Sequence, residues 1–333
     1  MKGISVIICC YNSAKRLPET LRHLAQQKVS VDLDWEIIVV NNNSTDTTEK
    51  DAISLWQSFG NDTSLIVVNE PQPGLSHARD TGMSVAQYDL FLWCDDDNWL
   101  CDTYVQTAFN IMEQQPDIGA LGGWCEAAFE AEKPTWFDTY SWYFAVSKQG
   151  RQSGDITHKK GCVYGAGMVL RKAHWLELKS LGFKQLLNDR KGKSLSSGGD
   201  TEYCYAIRLL GYKIWYDDRL YFKHFMIAER PNFRYISRLK KALVNSNFIL
   251  WPYQDLLNNK RLTKIDFLKT AFKGIPINHA KQFLKLIIGN FDKKENAKEY
   301  FRYFKLLLFS YDVYEENWKL IQEWHSKIDK KHI

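Results

Sequence analysis

The 333-residue sequence contains no stretch approaching the ~18 consecutive apolar residues of a membrane-spanning helix. Its opening run, Met1-Lys-Gly-Ile-Ser-Val-Ile-Ile8, is cut short by Asn12, Ser13 and Lys15. That is too short for the apolar core of a signal peptide, so no secretory signal is expected. The seven cysteines, at 9, 10, 94, 101, 125, 162 and 204, are odd in number and none has zinc-finger spacing. A disulfide scaffold is excluded, and free thiols in a reducing cytoplasm are expected. Neither Gly-x-x-x-x-Gly-Lys nor Gly-x-Gly-x-x-Gly occurs. If phosphates bind, a metal must neutralise them rather than a glycine-rich helix start. An excess of one charge is lacking as well: 44 basic against 39 acidic residues leave a net charge of +5. This is not a nucleic-acid-binding composition.

What is plentiful is aromatic surface, 14% of residues with 12 Trp. Such faces suit sugar rings, nucleobases and membrane interfaces as well as cores. The length accommodates one large domain or two modest ones.

The first third alternates strand and helix signals. Residues 4–9, 36–40, 64–68 and 89–93 are near-continuous apolar runs. Helical spacing fills 14–27, the stretch from Ser44 and Thr45 to Phe59, and 76–86 beyond Pro71, Pro73 and Gly74. Buried strands separated by helices predict a parallel sheet covered on both faces. Ligands bind such sheets at the carboxyl ends of the strands. Those ends carry Cys10-Tyr-Asn-Ser13, Asn41-Asn-Asn-Ser-Thr-Asp46 and Cys94-Asp-Asp-Asp-Asn98. Three adjacent carboxylates repel unless a cation sits among them. Their hard oxygens favour Mg²⁺ or Mn²⁺, which bridge to substrate phosphates. A solvated acidic turn is the alternative, and position after a buried strand weighs against it.

The middle of the chain is less regular. Gly161 to Gly167 marks a loop leading into a strand, where small residues allow close approach to the backbone. Gly198 and Gly199 form a turn, with Asp200 or Thr201 expected to cap a helix running to Leu210. Asp200 is thus either a cap or a general base. Residues 212–216 read as a strand, and His224 follows among aromatics. From residue 229 helical periods dominate. Residues 233–249 set Arg234, Arg238 and Lys241 apart from Ile236, Leu239 and Leu243. Residues 279–291 set Phe283, Leu284, Ile287 and Ile288 against Lys281 and Lys285. Residues 298–309 are amphipathic likewise.

In order and spacing, Ser5-Val-Ile-Ile-Cys-Cys-Tyr-Asn12, Glu36-Ile-Ile-Val-Val-Asn-Asn-Asn-Ser-Thr-Asp46, Gly74-Leu-Ser-His-Ala-Arg-Asp80, Cys94-Asp-Asp-Asp-Asn98 and Gly198-Gly-Asp-Thr-Glu202 form a specific set. Over residues 2–228 the chain resembles family 2 glycosyltransferases. The resemblance implies an α/β GT-A fold, Rossmann-like, with a mostly parallel central sheet and helices on both faces; a C-terminal helical region follows. It implies an inverting, metal-dependent transfer of one sugar from a nucleotide-diphosphate sugar to a hydroxyl of a glycan or polyprenyl-diphosphate-linked acceptor. Bacterial surface glycans, capsule or O-antigen, are the product class implied.

By position, Cys9, Tyr11, Asn12, Asn42, Asn43, Arg79, Asp95 and Asp96 would contact the nucleotide-sugar. Asn42 departs from the Asp that many relatives carry there. Asp95 and Asp97 match the Asp-x-Asp pair, with Asp97 on Mn²⁺ or Mg²⁺ and His224 a looser further ligand. Asp200 matches the catalytic base. Trp124, Gly199 and Glu202 would border the acceptor, and Trp136, Trp142 and Trp175 are further stacking candidates. The Gln-x-x-Arg-Trp motif of processive synthases is missing, which favours a single transfer. Two other readings stand beside this one: a sugar-1-phosphate nucleotidyltransferase, whose Gly-rich basic loop residues 9–16 lack, and a non-catalytic nucleotide-sugar or glycan-binding module.

The charge divides unevenly. Residues 1–228 hold 23 basic and 28 acidic residues, and residues 229–333 hold 21 basic and 11 acidic. This predicts an acidic catalytic domain (1–228) joined to a basic amphipathic helical region (229–333). That region either packs on the domain or docks on anionic lipid. The expected location is cytoplasmic, peripheral on the inner face of the plasma membrane in the docking case.

Overall fold

The computed structural model describes residues 1–187, 189–190, 197–273 and 275–328. Three β/α units open the chain: β1 (Ile4–Cys10), α1 (Leu17–Ala25), β2 (Trp35–Asn41), α2 (Thr48–Ser58), β3 (Ser64–Asn69) and α3 (Leu75–Val85). There follow β4 (Leu90–Asp95), β5 (Asn98–Leu100), α4 (Tyr104–Gln114), β6 (Ile118–Phe129), α5 (Phe137–Tyr140) and β7 (Gly154–Asp155). Then come β8 (Val169–Arg171), α6 (Lys172–Leu181), α7 (Gly199–Leu209) and β9 (Lys213–Met226). Five helices end the described chain: α8 (Phe233–Leu257), α9 (Lys264–Phe272), α10 (Ile275–Ile288), α11 (Phe291–Phe309) and α12 (Tyr311–His325).

The nine strands of the described residues form one sheet in the order β3-β2-β1-β4-β8-β6-β9-β5, with β7 beside β9. The β3–β2–β1–β4 half is wholly parallel, as the near-continuous apolar runs require. The other half is mixed, because β8 runs antiparallel to both β4 and β6 while β6 and β9 run parallel. The strand expected at 212–216 continues to Met226, carrying His224 into the sheet.

Two core clusters line the two faces, and the period-2 alternation of β1 feeds both. Ile4, Val6 and Ile8 share one cluster with residues of α1, α2 and α4; Ile7 shares the other with residues of α3, α6 and α7. Each such fully buried Ile or Val contributes about 1.5–3 kcal/mol relative to exposure. The α3 contact is close enough that a Cβ at Gly82 would strike Ile7 and Val40. A Gly82→Ala change would therefore prise α3 off β1.

The basic C-terminal region does not hang free. Leu250 and Tyr253 of α8 and Ile321 and Trp324 of α12 join the second cluster, while Phe248, Phe267, Tyr314 and Trp318 form a third. Arg234, Arg238 and Lys241 lie on the exposed side of α8, opposite buried Ile236 and Leu239. No described helix is long and apolar enough to cross a membrane. All seven cysteines are free thiols.

Candidate active site

The sheet register gathers the strand-end motifs. Cys9 lies opposite Asp95 across β1 and β4, and Cys10 opposite Asn41 across β1 and β2. Cys9 is held neutral, its pKa pushed up to about 12 chiefly by burial. Beyond β1, Tyr11 is 52% exposed, which leaves a ring face open at the rim. Asn12 and Asn43 adopt the left-handed conformation that Asn tolerates, with φ of 49° and 57°. Asn12 accepts a hydrogen bond from the Thr45 N–H at 2.8 Å, joining the first two loops.

Cations sit among the three consecutive carboxylates, and they are side chains of the protein. Arg16 donates to Asp96 Oδ2 from Nη2 at 2.6 Å, and the Ser13 hydroxyl donates to the same oxygen. Arg230 Nη1 lies 2.9 Å from Asp97 Oδ2, with His224 Nε2 at 3.4 Å from that oxygen. Burial would raise the Asp97 pKa; its pairing with His224, Arg230 and Arg16 outweighs this and holds it well below the usual carboxylate range. Asp96 is pushed the other way by burial and by the charge of Asp97. Asp96, expected at the nucleotide, has its Oδ2 taken up by Arg16 and Ser13, which ties the start of α1 to the β4–β5 turn. Asp95 is half-buried at the strand end.

A second cluster approaches through α7. Arg79 is buried, its guanidinium 4.0 Å from the Trp93 ring centroid and 3.4 Å from Asp189 Oδ2. Burial opposes its charge, but Asp189 and Asp95 more than compensate and keep it cationic. Asp189 Oδ1 accepts from the Gly199 N–H at 2.8 Å, at the start of α7. Asp200 follows in the first turn; the cap position is Gly198, so Asp200 is not the helix cap. Its carboxylate accepts from the Gly165 N–H and the Thr201 N–H, each at 2.7 Å. Close approach explains Gly165, where a Cβ would stand 2.6 Å from Arg79 Nη2 and 3.1 Å from Asp200 Cβ. Arg79, Gly165 and Asp200 are therefore mutual neighbours, although Arg79 and Asp200 lie 121 positions apart in sequence.

Several expected residues lie elsewhere. Glu202 is fully buried and faces no acceptor. Its carboxylate accepts from the backbone N–H of Leu186 at 2.7 Å and Leu187 at 3.1 Å, and from the Tyr253 hydroxyl at 3.1 Å. Burial outweighs these donors and pushes its pKa up to about 8. Asn42 is buried too, its amide donating to the carbonyls of Glu70 and Gln72 and accepting from Gly74 N–H. It shapes the third loop rather than presenting a free edge to a base. Gly199 is buried against Asp189. Trp175 is buried edge-on against Phe91, so it cannot stack a sugar. Trp136 packs on Phe233, and Trp124 packs on Tyr221 while donating to the Asp218 carbonyl. Trp142 alone of the four is more than half exposed.

Sequence reasoning missed Arg16, Asp189 and Arg230. Arg230 follows β9 by four residues and lies beyond residue 228, where the catalytic part was expected to end. A basic residue next to the His224 strand was its only signal.

Asp95, Asp97 and His224 offer the oxygen and nitrogen donors that Mg²⁺ or Mn²⁺ accepts. Among the described residues no three His, Cys, Asp or Glu side chains converge to hold a metal by themselves. That fits an ion bound by one or two carboxylates and completed by substrate phosphates. It also sets a condition, because such an ion competes with the Arg230 guanidinium for Asp97 Oδ2.

Comparison with known proteins points the same way as the geometry. The profile described as Glycosyl transferase family 2 matches residues 5–176. Glucosyl-dolichyl phosphate glucuronosyltransferase of Haloferax volcanii is 24% identical over 238 residues, covering 70% of this chain and 72% of that protein. Glycosyltransferase GlyA of Streptococcus pneumoniae is 31% identical over 123 residues, covering 36% of this chain and only 16% of its own length. The crystal structure of S. aureus TarS 1–349 in complex with UDP-GlcNAc shares the fold, with a TM-score of 0.52 at 18% identity over 98% of this chain and 92% of that one.

Proposed function

Since this chain belongs to glycosyl transferase family 2, and so is a glycosyltransferase, we propose that it transfers one sugar from a nucleoside-diphosphate sugar, with inversion, to a hydroxyl of a glycan or lipid-linked saccharide. One observation carries this reading: Asp200, reaching the rim through α7, stands beside Arg79 at the strand ends that also hold Asp95 and Asp97. A carboxylate for the acceptor proton and a cationic, acidic rim for the donor thus share one edge of the sheet.

Each residue has a physical task. The acceptor hydroxyl is far too weak an acid to attack unaided, so a carboxylate must take its proton as the new bond forms. Asp200 does so through an oxygen lone pair not used by the Gly165 and Thr201 N–H groups. Those two donors fix the carboxylate plane before substrate arrives, which lowers the orientational cost of the step. A single inverting displacement needs only this one base, unlike a glycosidase with its two carboxylates. Arg79, clamped between Trp93 and Asp189, places a fixed positive charge beside the donor. Tyr11 offers its open face to the base. Asp97, with Asp95 or His224 beside it, would hold Mn²⁺ or Mg²⁺ together with the donor phosphates, and the ion would supply Lewis-acid stabilisation to the departing diphosphate.

On this reading residues 1–228 carry donor binding and chemistry, and residues 229–333 form the basic helical region that lends Arg230 to the site. Surface glycans are the product class, and a polyprenyl-linked acceptor would place the enzyme at the cytoplasmic membrane face. The test is turnover of a panel of nucleotide-sugars by the purified protein with Mn²⁺, with and without saccharide acceptors. Wild-type turnover and its loss in Asp97→Ala support the reading. Full turnover by Asp97→Ala, or release of pyrophosphate from a sugar-1-phosphate and nucleoside triphosphate, overturns it.

A further inference from the structure

Helices α9 and α10 both carry an apolar stripe that the rest of the described chain leaves uncovered. On α9 the stripe is Ile265, Leu268 and Phe272, which are 61%, 37% and 58% exposed. On α10 it is Phe283, Leu284, Ile287 and Ile288, which are 61%, 54%, 59% and 74% exposed. The spacings 265, 268, 272 and 283/284, 287/288 keep each set on one helical face. Their opposite sides are accounted for: Phe267 and Ala271 of α9 are buried, and both helices pack against α11. Scattered exposed apolar residues are ordinary on a protein surface, but seven on two consecutive helices are not.

The charge around the stripes selects the partner. Residues 260–289 hold seven basic residues and one acid, Asp266. Lys264, Lys269, Lys273 and Lys281 are exposed among or between the apolar positions. Asp266 is taken up by the Thr263 cap, where its carboxylate accepts from the Thr263 N–H and hydroxyl. A protein partner for so basic a face would need matching acids around an apolar groove. An anionic bilayer supplies negative headgroups and a hydrocarbon layer together, and no described span competes for that role.

We infer that the α9–α10 face is a docking surface for the anionic lipid bilayer. Phe272, Phe283, Leu284, Ile287 and Ile288 enter the acyl boundary, and Lys264, Lys269, Lys273 and Lys281 stay at headgroup level. The rest of the basic region plays a different part: α8 packs on α7 and α12 packs on α8, so a docked α9–α10 would hold the catalytic domain at the membrane. The inference deepens the proposed use of a membrane-borne acceptor, but it rests on surface residues outside the catalytic rim.

The experiment is partition of the full chain onto sedimenting vesicles, with no donor or acceptor present. The vesicles are either phosphatidylcholine alone or phosphatidylcholine with 30 mol% phosphatidylglycerol. Binding to the anionic vesicles is expected to exceed binding to the neutral ones at least tenfold and to fall as salt rises. Phe283→Asp/Ile287→Asp is expected to lower it at least tenfold with an unchanged melting temperature, since both side chains are already exposed. Lys269→Glu/Lys281→Glu, which keeps the stripes, is expected to lower anionic binding and leave neutral-vesicle binding unchanged. No binding at low salt overturns the inference. So does equal binding by the Asp variant, or a dimer in solution that the Asp variant dissociates. Because nucleotide-sugars are absent, a negative result here leaves the transferase reading intact, and failed turnover leaves the vesicle result intact.

Discussion

The strand-end rim and the α9–α10 face solve opposite problems. At the rim, charges that would repel one another are each answered from within the chain: Asp96 by Arg16, Asp97 by Arg230, Asp189 by Arg79. At α9–α10, apolar side chains that would gain from cover receive none from the described chain. A site whose charges are already paired must exchange partners when substrate binds. A surface whose apolar groups are unpaired needs only to be met. On the proposed reading the rim would exchange its ion pairs for substrate, while the helical face would only need to meet an external phase.

Asp200 tests the rim most severely, because backbone N–H groups hold it instead of a guanidinium. Asp200→Asn keeps a carbonyl oxygen for Gly165 N–H but cannot take a proton. Turnover is expected to fall about a thousandfold, within the usual span for losing a general base, while the amide set against the Thr201 N–H costs less stability than the same change at Glu202, because Asp200 is only half-buried. A loss below tenfold in single-turnover assays would remove Asp200 from the proton transfer.

Glu202, two residues on, is expected to show the reverse split. An amide there turns one acceptor into a donor facing a backbone N–H of Leu186 or Leu187, so Glu202→Gln should cost about 1–3 kcal/mol of stability. The pH dependence carries a definite sign. Burial raises this carboxyl from its ordinary 4.5 to about 8 in the folded protein. The folded state thus binds the proton more tightly than the unfolded state between those values. The stability that this proton contributes is complete below pH 4.5 and is lost as pH rises through about 8. The gap in melting temperature between wild type and Glu202→Gln should accordingly narrow from pH 5 to pH 8.5. A constant gap would mean that Glu202 is already ionised at pH 5.

Arg230 lies between the two regions, on the segment joining β9 to α8. At the proposed metal site it would compete with a divalent cation for Asp97 Oδ2, so Arg230→Ala should tighten Mn²⁺ binding to the nucleotide-free protein about tenfold, a difference of about 1.4 kcal/mol. Calorimetric titration reads this without turnover. Unchanged or weaker Mn²⁺ binding would show that the guanidinium does not guard the metal oxygen.

Much of the fold was legible because burial writes a simple code. The apolar runs at 4–9, 36–40 and 89–93 name the central strands, and Asn41, Asp95 and Asp97 at their ends name the rim. What stayed hidden depends on contacts between residues far apart in the chain. Nothing local says that Asp96 will meet Arg16, that Asp189 will bridge Arg79 to Gly199, or that Glu202 will close on Leu186, Leu187 and Tyr253. Helical periodicity likewise showed that α10 is two-sided without showing which side is covered, since an apolar face reads the same buried or bare. The 228 boundary placed Arg230 outside the catalytic part for the same reason: composition changes there, while the ion pair crosses it.

Trp142 gives the smallest expected effect and bounds the contrast between the two regions. Its indole is 51% exposed and stacks on Tyr143 with ring centroids 3.6 Å apart. One exposed aromatic is not a patch, so it implies no docking phase of its own. Truncation leaves Tyr143 in place and little cavity, and Trp142→Ala should change stability by less than about 0.5 kcal/mol. What the open indole face can do is stack a pyranose ring of the acceptor, contributing to binding equally before and during reaction. Such uniform binding appears in KM and not in kcat. A several-fold rise in acceptor KM with unchanged kcat and unchanged vesicle partition would extend the rim to Trp142. Unchanged acceptor KM would remove Trp142 from the acceptor site.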